Sequence, residues 1–189
     1  KSEKFTVSHI GSLTKTRNPE NLWRALQELV SENMQFASDL EIKNIGKLDF
    51  NAVESLKSAG LEKYLAAINY LPHSKVIDEQ KNASLLLLLI NDTPNAKLIL
   101  TGKIFEYMAS KTPIICIGPT DGDAAGIIRN KKCGEVFGFN EVRSLKKHLE
   151  VDYKKFKGNK LVSDCKDTVE FERRNLTEKL AEVLNHIKV

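Results

Sequence analysis

Apolar positions along the chain fall into short runs separated by longer stretches with helical spacing. Apolar or alternating runs lie at 5–10, 40–45, 66–71, 85–90, 113–117 and 135–139. Each has the length of a strand, and most of the segments between them repeat apolar residues every three or four positions. Strands that alternate with helices imply a parallel sheet, because a parallel neighbour is reached only through a crossover. The runs at 85–90 and 114–117 are apolar at every position, as in central strands covered on both faces. The pattern predicts an α/β, Rossmann-like three-layer sandwich with a mainly parallel sheet of about six strands and helices on both faces.

The first helix has the clearest start. Asn18 is placed to cap it, Pro19 suits the first helical position, and Leu22, Leu26, Leu29 and Val30 form a core-facing stripe beside Trp23. Further helices are expected at 51–58, closed by Gly60, at 74–82, at 103–110 ahead of Pro113, at 124–129 and at 141–150. Leu176, Leu180, Val183, Leu184 and Ile187 mark a last helix within 168–188, and the polar stretch 154–160 reads as the loop leading to it. That helix is basic and amphipathic. Packing on this domain is its expected use, with a peripheral membrane or partner-domain contact as the alternative.

Composition narrows the class. The 189 residues fit one domain, 1–189, and 41% hydrophobic with 29% charged residues is ordinary for a folded globular chain. The net charge is +4, with no run of five Lys and Arg, so a nucleic-acid partner is not expected whereas an anionic small ligand is. Cys116, Cys133 and Cys165 are an odd number without CxxC spacing, which argues against a metal site and a disulfide framework and points to a reducing cytoplasm. The longest apolar run, 85–90, falls far short of the ~20 residues of a membrane span. The chain opens on Lys1 and enters a strand almost at once, as expected of the C-terminal half of a longer protein.

In open parallel sheets, ligands bind beyond the carboxyl ends of the strands, where helix N-termini present amides to anions. After the first strand come Gly11, Ser12, Leu13 and then Arg17, Asn18 and Pro19: a glycine for close approach, a hydroxyl and a cation, which suit a phosphate or an ordinary loop about equally. Thr101, Gly102 and Lys103 open a later helix that carries Glu106, so a diphosphate at the helix start and a ribose at the carboxylate would both be satisfied. The alternative is a surface pair between Lys103 and Glu106. Residues 118–124 form a third such loop, readable also as a turn with aspartate caps. GxGxxG is absent after the first strand, and Gly102-Lys103 is not part of a P-loop. His9 reads as a packed strand residue, His73 as a site candidate, and His148 and His186 as solvated helix positions.

The stretch from Gly102 to Ile115, continuing through Gly118-Pro119 and Asp121 to Ala125, closely resembles the donor-binding motif of the family-4, or group 1, glycosyltransferases. Gly11-Ser12-Leu13 with Arg17-Asn18-Pro19, and Leu71-Pro72-His73-Ser74, are similar to two further blocks of that family in the same order. The resemblance implies the C-terminal half of a two-domain B-type fold, with an N-terminal acceptor domain as its missing partner. It implies a nucleoside-diphosphate sugar as donor, no cofactor and no metal, transfer with retention, and a bacterial envelope-polysaccharide setting in the cytoplasm or at the inner face of the membrane. On this reading Gly11 and Ser12 approach the diphosphate with Leu13 beside them, and Arg17 and Lys103 supply positive charge. Thr101 and Gly102 offer amides, Glu106 holds the ribose, and Leu71, Pro72 and His73 lie by the base. The family usually carries a second glutamate where this chain has Leu98, and often an arginine where it has Ser12. A nucleotide-sugar epimerase of the same fold and a non-catalytic nucleotide-binding or scaffold domain are the rival readings.

Overall fold

The computed structural model describes residues 2–187. Six strands alternate with helices: β1 (Phe5–Ile10), α1 (Glu20–Glu32), α2 (Met34–Asp39), β2 (Leu40–Ile45), α3 (Phe50–Ser58), β3 (Leu65–Ile68), α4 (His73–Asn82), β4 (Leu85–Leu89), α5 (Lys103–Ser110), β5 (Ile114–Ile117), α6 (Asp123–Asn130), β6 (Gly134–Phe137), α7 (Val142–Lys157) and α8 (Arg173–His186). All paired strands run parallel in the order β3-β2-β1-β4-β5-β6. The expected α/β three-layer sandwich is the fold observed. Successive strands build outward first on one side of β1 and then on the other, so the order reverses between β1 and β4, and a crevice opens there beyond their carboxyl ends.

Alternation along the strands divides the core into two layers. Phe5 and Val7 of β1 and Leu85, Leu87 and Leu89 of β4 meet α1, α3 and α7 on one face, where Phe5, Phe36, Tyr153 and Phe156 form an aromatic cluster. Ile10, Leu86 and Leu88 meet α5 and α6 on the other face through Ile104, Tyr107, Met108 and Ile128. Every residue of β4 is buried. That explains why five consecutive leucines, helix formers by propensity, hold a strand: both faces are covered, and burial outweighs intrinsic preference.

Several local expectations are corrected. Asn18 does not cap α1; its carbonyl accepts from Trp23 Nε1 at 2.8 Å and its amide donates to Ser55 at 2.7 Å, while Pro19 occupies the cap position. The short helix α2 escapes periodicity analysis because it has barely more than one turn, capped by Asn33. The helix expected at 141–150 runs on to Lys157 because Leu145, Leu149 and Tyr153 keep one buried stripe, so most of the expected 154–160 loop is its last turn. The 118–124 loop has no aspartate cap: Gly122 is the cap residue of α6, and Asp121 pairs with Lys97 at 2.6 Å.

The C-terminal segment brings two larger corrections. Cys133 and Cys165 are bonded, 32 residues apart, because residues 161–166 fold back to β6 and Lys166 N donates to Lys131 O at 2.9 Å. The bond is contrary to the expectation that the three cysteines form no disulfide, and with it the cysteines cease to point to a reducing cytoplasm. The last helix also does not pack on the sheet. Leu176, Leu180, Val183 and Leu184 of α8 are each about half exposed or more, and its main contact is the turn Thr168–Phe171. No helix among the described residues is long and apolar enough to cross a membrane.

Candidate functional site

The chain leaves β1 through Gly11, whose φ of +132° is a conformation that side-chain-bearing residues rarely adopt. Gly11 N donates to Ile45 O at 2.7 Å, and Gly46 lies so close that a Cβ there would sit 2.7 Å from Gly11 O. Two glycines thus allow the loops after β1 and β2 to pack backbone on backbone. Leu13 and Leu48 continue that pairing as an isolated bridge. Leu13 is buried in the core, with its amide bonded to Lys47 O and its carbonyl to Asp49 N. Its side chain faces the core and both its backbone groups are bonded within the protein.

Above Gly11 lies Lys103. A Cβ on Gly11 would overlap the lysine Nζ, so the vacancy left by the glycine holds the ammonium group. Burial holds the Lys103 pKa below its ordinary value, the Arg17 charge lowers it further, and Glu106 acts in the opposite sense. Arg17 reaches across the crevice, and its Nε donates to Asn91 Oδ1 at 2.5 Å just beyond β4. Asp92 N donates to Thr16 O at 2.8 Å, which fixes the same junction. Two cations therefore converge at the carboxyl end of β1, and neither is ion-paired among the described residues. This is an electrostatic arrangement that an anion would complete.

The N-terminus of α5 adds to it. Gly102 caps the helix without any side-chain bond, the Ile104 and Phe105 amides bond back to the Thr101 and Gly102 carbonyls at 3.2 Å, and the Thr101 hydroxyl is buried without a partner. Glu106 forms no ion pair with Lys103; its Oε2 accepts from Gln80 Nε2 at 3.3 Å, and the side chain is otherwise exposed. Gln80 is buried and its backbone carbonyl accepts from Thr112 Oγ1 at 2.8 Å, so the exposed carboxylate meets the amide of a buried residue.

The segment expected to lie by the base is only partly available. Leu71 packs on the α5 side of the core, Pro72 caps α4, and His73 is exposed as the first residue of that helix. The residue that reaches the β1 loop is Tyr70, whose hydroxyl lies 2.9 Å from Ser12 Oγ while its ring stays 70% exposed. Sequence reasoning passed over Tyr70 because it stands one position before the motif block; an aromatic next to a strand end was the available signal. Gly46 was missed likewise.

His9 is buried as expected of a strand residue, yet it is not an apolar filler. Nδ1 lies 3.1 Å from Leu87 O, and Nε2 is buried with no partner. His148 is half-buried rather than solvated, with Nε2 3.1 Å from the buried Asp152 and its ring against Phe137. Among the described residues no group of three His, Cys, Asp or Glu could hold a metal.

A cavity of about 310 Å³ adjoins the crevice on the α1 side, lined by Arg17, Arg24, Asn21, Ile90, Ile117 and Asn140. A larger one, about 660 Å³, lies near Ser2, Ser84 and Phe156. Its lining comes from the residues before β1 and β4 together with the end of α7 and residues 159–162, away from the end where parallel sheets bind ligands.

No protein-family model matches the sequence, and no curated protein matches it. Solved structures do. The chain superposes on a trehalose-6-phosphate protein from E. coli bound with UDP-2-fluoro glucose with TM-score 0.66, at 11% identity, over 98% of this chain and 45% of that one. It superposes on WaaG, a glycosyltransferase involved in lipopolysaccharide biosynthesis, with TM-score 0.62, at 15% identity, over 99% and 48%. For the pneumococcal O-GlcNAc transferase GtfA in complex with UDP and GlcNAc the values are 0.57, 14%, 84% and 30%. At these identities the likeness is one of fold: the chain has the architecture of one half of a B-type glycosyltransferase and spans less than half the length of these neighbours.

Proposed function

We propose that this chain is the nucleotide-sugar-binding half of a glycosyltransferase. Its β1 and α5 loops would grip the diphosphate of the donor, and a second half beyond these residues would supply the acceptor contacts. The observation that carries the reading is Lys103 lying over Gly11 with the Arg17 charge acting on it, neither cation being ion-paired among the described residues. Charge develops on the diphosphate as the sugar leaves. Two fixed cations and the positive end of α5 would stabilise it, which is the largest contribution a binding half can make and asks for no metal. Glu106, one turn along α5 and held by Gln80, is placed to accept from ribose hydroxyls. Tyr70, exposed and tied to Ser12, offers a face to the base.

One observation favours a second reading, a nucleotide-binding domain without transfer. Leu98 is 73% exposed where the resemblance calls for a carboxylate near the transferred sugar.

Calorimetric titration with UDP, GDP, ADP and CMP tests the site. One nucleoside diphosphate should bind, and Arg17→Ala and Glu106→Ala should each weaken it. Failure of all four to bind overturns the reading. Diphosphate binding with no sugar transfer by the full-length protein would favour the second.

A further inference from the structure

The buried ring of His9 faces the same vacancy that Gly11 leaves for Lys103. A Cβ on Gly11 would lie 3.9 Å from His9 Nε2 on one side and overlap Lys103 Nζ on the other. Leu87 O can only accept, so Nδ1 carries the proton and Nε2 is a bare acceptor with no partner. A bare acceptor under an anion site is mismatched to the ligand, since a phosphate oxygen needs donors. Protonation of Nε2 removes the mismatch and leaves the Leu87 bond intact.

We infer that His9 makes this site proton-coupled: a diphosphate seated on Gly11 between Arg17 and Lys103 draws a proton onto His9 Nε2, which turns from a partnerless acceptor into a cationic donor beneath the phosphate. The inference rests on the donor-site reading and deepens it.

The groups around the ring support the coupling. Lys103 from α5 and Arg17 from the 15–17 turn are the charges that face it; β4 presents the Leu87 carbonyl, the β1 loop presents the backbone of Ser12, and the register neighbour on β2 is the neutral Asn44. Without a ligand, burial first, then the Lys103 and Arg17 charges, push the His9 pKa down to about 4 against the pull of the Leu87 and Ser12 backbone. A diphosphate cancels both opposing charges at once and adds an anion of its own, so the imidazolium is favoured only in the complex. Linkage then requires affinity to rise as pH falls through the pKa of the complex, and to level off near the free-protein value of about 4. A neutral donor at position 9 would bind the same ligand without that pH dependence.

The test measures the heat of UDP and inorganic pyrophosphate binding at pH 6 in two buffers of different ionisation enthalpy, which counts protons taken up. His9→Gln provides the baseline, because the phosphates titrate in both proteins. Wild type should take up a larger fraction of a proton per ligand than His9→Gln. Its affinity should gain more than that of His9→Gln as pH falls from 7.5 to 5.5, by up to about tenfold per pH unit, the slope of one fully coupled proton. Should His9→Gln fail to fold, nitrogen NMR of the wild-type imidazole reads the same event, with Nε2 becoming protonated on addition of UDP. Diphosphate binding with equal proton uptake in both proteins, or an Nε2 unmoved by UDP, overturns the inference and leaves the donor site standing. If no diphosphate binds at all, both fall.

Discussion

Three half-buried lysines are treated in opposite ways by this fold. Lys43 sits between Glu41 at 3.5 Å and Glu79 at 2.9 Å, and Lys146 between Glu28 at 2.9 Å and Glu32 at 2.7 Å. The pKa of each is raised: hydrogen bonds to its glutamates raise that of Lys146, and for Lys43 they outweigh the loss of hydration. Lys103 meets Arg17 instead, and its pKa is lowered. The fold can therefore surround a lysine with carboxylates where structure alone is at stake. At the carboxyl end of β1 it places two cations together and leaves them uncompensated, a cost to the free protein that an incoming anion recovers.

The comparison breaks most sharply on binding. Arg17→Ala combined with Lys103→Met should weaken diphosphate affinity by about a hundredfold, from two charge-assisted contacts at about 1.5 kcal/mol each. Lys43→Met should leave it unchanged in the same titration. Thermal unfolding gives the next effect, and its sign is the point. Lys43→Met strands two partly exposed glutamates and should cost about 1 kcal/mol, whereas Lys103→Met relieves burial of an unpaired charge and should be neutral or stabilising.

Alkaline pH sharpens the contrast further. The folded pKa of Lys43 lies above the ordinary 10.5, so its contribution is present below 10.5 and lost as pH rises through the folded value. That of Lys103 lies below 10.5, so its penalty lifts as pH rises toward 10.5. Wild type minus Lys43→Met should narrow with rising pH, and wild type minus Lys103→Met should move in favour of wild type, by denaturant unfolding at each pH. The smallest effect belongs to Lys146→Met, whose glutamates are half exposed. It should cost less than about 1 kcal/mol, shrinking further in salt.

Period and burial made the layers readable in the sequence. β4 announces itself by leucines on both faces and α1 by its stripe, and the parallel order follows from their alternation. Candidate site residues could be named where residue type after a strand suggests chemistry, as at Gly11, Arg17, Lys103 and Glu106. It was not readable where a partner comes from far along the chain. Tyr70 reaches Ser12 from 58 positions away, and His9 meets the Leu87 carbonyl from 78 away. The Cys133–Cys165 bond depends on how residues 161–166 fold back, which no spacing rule carries. Leu13 resembles a loop residue because its burial is created by Leu48 on a different loop.

The isolation of α8 also sets how its backbone protons behave. A 14-residue helix resting mainly on one turn borrows little stability from the sheet, and helices of that length are marginal by themselves in water. Its amides should exchange with solvent deuterium through local helix opening, while those of β4 wait for opening of the whole domain. Stabilising the core would slow exchange in β4 and leave α8 on its own clock.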